Sequence, residues 1–223
     1  MSMDYAKLKQ YLFSISDKKF ADFSKTLSNS EYISIGVKNP VLRQIVKEHK
    51  NDTSLRIEDF ELGTYLEIDF IYFGLALSRV KSSDEQLQFI RENIHLAKSW
   101  AITDSVTTFL KKFSFEKYWD LFLYLSKSPY TYDRRMGYVL GLKFYKDHSI
   151  LQVLKHISLN DEYMVMMAEA WLLATVAIQY EDEIYNFLKD CSDLSLKRKA
   201  ISKICDSFRF STNSKDRFKA LRQ

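Results

Sequence analysis

Apolar side chains recur at three- and four-residue spacing along almost the whole chain, the period of an amphipathic helix. Tyr5, Leu8, Leu12 and Ile15 form a first stripe, and Phe20, Phe23 and Leu27 form a shorter second one. Pro40 sits where the first position of a helix tolerates it, ahead of Val41, Leu42, Ile45 and Val46. The same pattern predicts helices over 66–80, 84–95, 99–113, 115–127, 130–145, 149–158, 162–180, 181–190, 194–208 and 214–221.

Short joints rich in Ser, Asp and Asn separate these segments, as between antiparallel helix neighbours. Ser82-Ser83-Asp84-Glu85, Ser114-Phe115-Glu116 and Asn160-Asp161-Glu162 read as N-cap regions. The unit is a helix hairpin of roughly 30 to 40 residues, the spacing of HEAT-like or TPR-like stacks, and no TPR consensus is present. The expectation is an all-α, curved α-solenoid of HEAT-like helix-hairpin repeats forming one domain over 1–223, with an irregular helix bundle as the alternative.

Composition agrees by exclusion. Five Gly and two Pro in 223 residues lie far below the average of about 12%. Too few turn formers are left for a sandwich or barrel. Neither GxGxxG nor GxxxxGK[ST] occurs, which removes the usual nucleotide-phosphate loops. Cys191 and Cys205, with no CxxC and no His at ligand spacing, suggest neither a zinc site nor a disulfide framework, so a reducing cytoplasm is expected. The first nine residues lack the apolar stretch of a signal peptide. The apolar maximum at 170–180 is too short to cross a bilayer, so no membrane role is expected.

Net charge is +4, and its distribution matters more than its size. From Lys189 to Gln223 there are ten basic and four acidic residues, among them the run Lys197-Arg198-Lys199. That end is either a phosphate-facing surface or a solvated helix face.

Three places could carry chemistry. Trp100 and Asp104 are four apart on a predicted helix, so an indole and a carboxylate share one face and could hold a cationic or sugar-like group; a packed Trp with a capping Asp is the plainer alternative. Arg134 and Arg135 follow an aromatic cluster at a helix start, where guanidinium forks suit phosphate oxygens or a salt bridge to Asp133 or to a neighbouring helix. Trp171 lies in a very apolar run and reads as core on composition. The four His residues stand at no metal-like spacing, and the many carboxylate pairs are undistinguished.

Taken in order, Ser34-Ile35-Gly36-Val37-Lys38-Asn39-Pro40-Val41-Leu42-Arg43, Trp100 to Asp104, Tyr132-Asp133-Arg134-Arg135 and Met164 through Leu173 resemble the AlkD-type HEAT-like-repeat DNA glycosylases. The resemblance runs from about Tyr5 to Arg222, and its most specific element is Trp-x-x-x-Asp followed by Arg and then Trp. It implies a C-shaped solenoid gripping duplex DNA and hydrolysing the N-glycosidic bond of cationic alkylpurines, as a monomer with no cofactor and no metal. It further implies that Trp100 and Trp171 pack on the lesion's deoxyribose, that Asp104 stabilises the developing oxocarbenium, and that Arg135 holds a flanking phosphate. Arg134, Lys38, Arg43, Lys197, Arg198 and Lys199 are the further DNA-contact candidates. Two departures stand out. The segment Phe23 to Tyr32, which in the family is a longer basic and aromatic helix, is short here and carries one basic residue; and after Trp171 the chain reads Leu172-Leu173-Ala174 where the family has Trp-x-Leu-Arg. Two other readings stay open: a paralogue that binds DNA without excising bases, and a protein-binding solenoid.

Overall fold

A computed structural model of the chain describes residues 3–28, 31–159 and 161–222. Asn160 of the third N-cap reading, Asn29 and Ser30 of the short segment, Met1 and Ser2 of the N-terminal reading and Gln223 lie outside the described residues. All regular elements described are helical; the β feature among them is one isolated bridge between Ile33 and Tyr65. The chain groups into two compact units, 1–113 and 114–223.

The first unit holds α1 (Tyr5–Ser14), α2 (Lys18–Ser28), α3 (Asn39–His49), α4 (Leu66–Arg79), α5 (Ser83–Asn93) and α6 (Trp100–Val106). Helix α3 starts at Asn39, with the predicted Pro40 in its first turn. Helix α5 starts on the predicted signal, a reciprocal capping box in which Ser82 Oγ accepts Glu85 N–H and the Glu85 carboxylate accepts Ser82 N–H, both at 3.2 Å. Helix α4 is the axis of the unit, buried nearly all round and packed on α3 and α6. Leu8 and Leu12 of the first stripe join its core with Leu42, Ile45, Ile68 and Ile71, whereas Ile15 of that stripe is exposed.

The second unit holds α7 (Phe115–Leu125), α8 (Thr131–Gly141), α9 (Tyr163–Val176), α10 (Glu181–Asp190), α11 (Leu194–Asp206) and α12 (Thr212–Lys219). Helix α8 packs on α7 and α9, and α11 on α9 and α12.

Two predicted helices turn out differently. The one expected over 99–113 stops at Val106 and tightens into a 3₁₀ turn, Thr107–Phe109. Thr107 Oγ1 donates to Asp104 O at 2.8 Å and Thr108 Oγ1 to Ser105 O at 2.7 Å, so hydroxyls compete for the carbonyls that α-helical N–H groups would take. The one expected over 149–158 is a 3₁₀ segment, His148–His156. Its inward residues, Ile150, Val153 and His156, repeat every third position, which matches three residues per turn. His156 meets the Trp119 and Phe122 rings edge-on at 5.3 and 5.8 Å.

Candidate functional site

In the first unit, Trp100 and Asp104 share the accessible face of α6. Ile102, Thr103, Ser105 and Val106 take the buried face, so Trp100 and Asp104 are left half-buried. Ser99 caps the helix by accepting Ala101 N–H at 3.2 Å, and Thr103 Oγ1 donates to Asp104 Oδ1 at 3.4 Å. The start of α6 is also held from below. Tyr32 donates its hydroxyl to Asp69 at 2.6 Å and accepts the Lys98 N–H at 3.3 Å, one residue before the cap. Asp69 also accepts the Gly63 N–H at 3.0 Å; its burial on α4 pushes its carboxyl up to about 6.

Trp100 borders a mainly apolar cleft of about 330 Å³, lined with it by Phe20, Phe23, Pro40, Leu42 and Phe70. Lys38 also lines it, with its ammonium 5.9 Å from the Phe20 ring centroid. The loop carrying Lys38 is clamped by Glu67, which is 1% exposed. Its carboxylate accepts Ser34 Oγ–H and the Ile35 and Gly36 N–H groups at 2.9 Å each, and the Val37 N–H at 3.2 Å. Gly36 has φ +96°, and a Cβ there would lie 2.2 Å from the Asp17 carbonyl oxygen, so both the backbone conformation and the close approach require glycine. Arg43 is exposed on α3.

In the second unit the paired arginines part company. Arg134 grips Asp161 through Nε at 3.2 Å and Nη2 at 3.0 Å, Glu162 at 3.1 Å and the Ser128 carbonyl at 3.0 Å. This is the salt bridge to a neighbouring helix, tying α8 to the start of α9. Arg135 is buried, and its Nη1 donates to Met164 O in the first turn of α9 at 2.7 Å.

Trp171 reverses the composition-based expectation of a core residue: it is 39% exposed on a helix whose other faces are buried. It opens onto a groove of about 580 Å³, lined with it by Tyr145, Thr175, Lys203, Asp206 and Arg209. On the buried side of α9, Glu169 is 0% exposed, accepts the Ser158 N–H through Oε1 at 2.7 Å, and has no hydrogen-bond partner at Oε2 among the described residues. Burial pushes its carboxyl up to about 7, with Asp161 and Asp193 adding to the rise and Ser158 and Tyr138 opposing it.

Of the basic run on α11, Arg198 is exposed, Lys197 donates to Lys189 O at 3.1 Å, and the Lys199 ammonium sits 5.9 Å from the Tyr163 ring centroid. Further along, Arg217 is paired with Asp182 at 2.6 Å and stacks over Tyr185, so part of the basic end is compensated internally.

The buried carboxylates Glu67, Asp69 and Glu169 escaped the spacing analysis. Each stands in an otherwise apolar helical run, and a charge in such a run signals a paired or neutralised carboxyl. Among the described residues no group of three His, Cys, Asp or Glu could hold a metal ion, and no helix is long and apolar enough to cross a membrane. The model of a protein family described as DNA alkylation repair enzyme matches residues 8–204. No curated protein matches the chain.

Proposed function

Because the chain belongs to the DNA alkylation repair enzyme family, we propose that it hydrolyses the N-glycosidic bond of cationic alkylpurines in duplex DNA. The observation that carries this reading is the accessible face of α6, which presents an indole and a carboxylate together while Ile102, Thr103, Ser105 and Val106 are buried. A cationic alkylpurine leaves as a neutral base, and its departure puts positive charge on the deoxyribose. The Asp104 carboxylate stabilises that charge, and the Trp100 π-face supports it. Water then adds at the anomeric carbon and releases a proton to solvent, leaving the free base and an abasic site. Trp171 offers the DNA a second aromatic face from its own groove. Arg135, buried against Met164 O, acts by holding α8 to the helix that carries Trp171. Lys38, Arg43 and Arg198 supply charge for the phosphates, and Lys197 and Lys199 stand on the same helix as Arg198.

The test is release of free methylpurine from alkylated duplex DNA. The wild-type protein releases it, and Asp104→Asn abolishes release with an unchanged melting temperature. Absence of release above background at high protein excess refutes the enzyme reading. One observation favours a second reading, DNA binding without excision. Ala174, standing where the resemblance expects Arg, lines the Trp171 groove, so the α9 side of that groove offers no guanidinium and Arg209 is the arginine left to line it. Duplex binding with no release, unaffected by Asp104→Asn, identifies that case.

A further inference from the structure

Tyr32 is buried, and its hydroxyl joins α4 to the chain that leads into α6. It donates to Asp69 Oδ2 at 2.6 Å and accepts the Lys98 N–H at 3.3 Å, two residues before α6 begins. Asp69 is 0% exposed and is held in turn by the Gly63 N–H, 3.1 Å from Oδ1 and 3.0 Å from Oδ2. The stretch that carries Tyr32 is itself tied down. Ile33 N–H donates to Thr64 O at 2.9 Å and Leu66 N–H to Ile33 O at 3.1 Å, and the residues that follow are those clamped by Glu67.

A carboxylate taken out of water loses hydration that its partners only partly return, and an apolar pair of similar shape often holds a fold equally well. What the polar pair adds is direction, because a hydrogen bond constrains an angle where apolar contact does not. Helix α6 needs direction from outside. It has seven residues, fewer than the roughly 12–15 that make a helix stable alone, so its neighbours decide where it points. Its accessible face carries Trp100 and Asp104, and Trp100 lines the same cleft as Lys38.

Resting on the enzyme reading above, we propose that Tyr32 and Asp69 are positioning residues for it: their link from α4 to the Lys98 peptide sets the orientation of α6 and keeps Trp100 and Asp104 in register with the Lys38 loop. Both side chains are buried, so they act through α6 and touch no DNA.

The test measures single-turnover release of free methylpurine from alkylated duplex DNA with the full chain in excess, together with duplex affinity, melting temperature and hydrogen exchange. Tyr32→Phe keeps the ring in the core and removes only the hydroxyl. It melts lower than wild type because a buried carboxylate loses a donor. At a temperature where both proteins are folded, its release at saturation is slower by on the order of tenfold, a fraction of the hundredfold that about 1 Å of misplacement can cost. Duplex affinity stays within about twofold, because no phosphate contact is lost. Amide exchange accelerates over 96–106 and not in α3. The double variant Tyr32→Phe with Asp69→Leu, an apolar pair in place of the polar one, regains the melting temperature and stays slow.

A wild-type rate in Tyr32→Phe overturns the positioning role and leaves the enzyme reading standing. So does a double variant that recovers rate along with melting temperature, or exchange accelerated evenly through 1–113, since the pair then serves stability alone. If the double variant does not fold, the rate and exchange pattern of Tyr32→Phe decide. Absence of release by the wild-type chain overturns the enzyme reading and the positioning role with it.

Discussion

Replacing Glu169 by Gln should stabilise the protein above neutral pH and leave it nearly unchanged below pH 4.5. Burial, with Asp161 and Asp193 nearby, pushes the carboxyl up from the usual 4.5 to about 7. The ionised form is therefore disfavoured in the folded state by about 3 kcal/mol. With the folded value raised above the unfolded one, the folded state binds the proton more tightly. Stability is accordingly greatest below pH 4.5 and declines as pH rises through 7, above which the full penalty is reached. Gln keeps a carbonyl oxygen for the Ser158 N–H and carries no charge, so its pH profile loses this decline. Thermal melting of both proteins from pH 4.5 to 8.5 reads the difference directly. At pH 8 the variant should melt roughly 6–12 °C higher, taking about 2–4 °C per kcal/mol for a chain of this size. The Asp69 carboxyl, raised to about 6 by burial, adds a decline of its own between about 4 and 6, which is common to both proteins and cancels in the comparison. Parallel profiles, or a wild-type melting temperature that rises through this window, would refute the assignment of a buried, strained carboxylate.

Three further substitutions test the glycine turns and the groove. Gly36→Ala should cost more than Gly63→Ala: both sites have positive φ, each worth about 1–2 kcal/mol of strain, but the new Cβ meets the Asp17 carbonyl at the first and open space at the second. Equal losses in denaturant unfolding would remove the close approach as the reason for glycine. Trp171→Ala should lower stability by less than about 2 kcal/mol, short of the 3–5 kcal/mol of a core Trp, while weakening duplex binding. A core-sized loss in melting would mean that the indole supports the fold.

Helix placement was largely legible in the chain because caps and periodicity act locally: Pro40 sits in the first turn of α3, and Ser82 with Glu85 starts α5. Lengths failed where a hydroxyl competes for a helical carbonyl, at Thr107 and Thr108, or where apolar residues repeat every third position, at Ile150 and Val153. The family resemblance is borne out by the match over 8–204. Exposure was the harder property to read. Helix α9 is apolar all round, so the face that faces solvent depends on neighbours far along the chain, and Trp171 could not be told from core. Arg134 shows the same limit. Its partners Asp161 and Glu162 lie beyond the next helical segment, out of reach of any local rule.

The clamp on the Lys38 loop bears on how that loop can meet DNA. Three successive amide N–H groups and a hydroxyl converge on one point, a geometry that elsewhere cradles phosphate. Here a resident anion, the Glu67 carboxylate, already occupies it. Tethered within the same chain, that carboxylate acts at an effective concentration in the millimolar range or above, so a diffusing phosphate competes poorly for those donors. On the proposed DNA-binding reading, backbone capture at this loop is self-inhibited, and the grip proposed for it is left to the Lys38 ammonium, one charge and one released counterion.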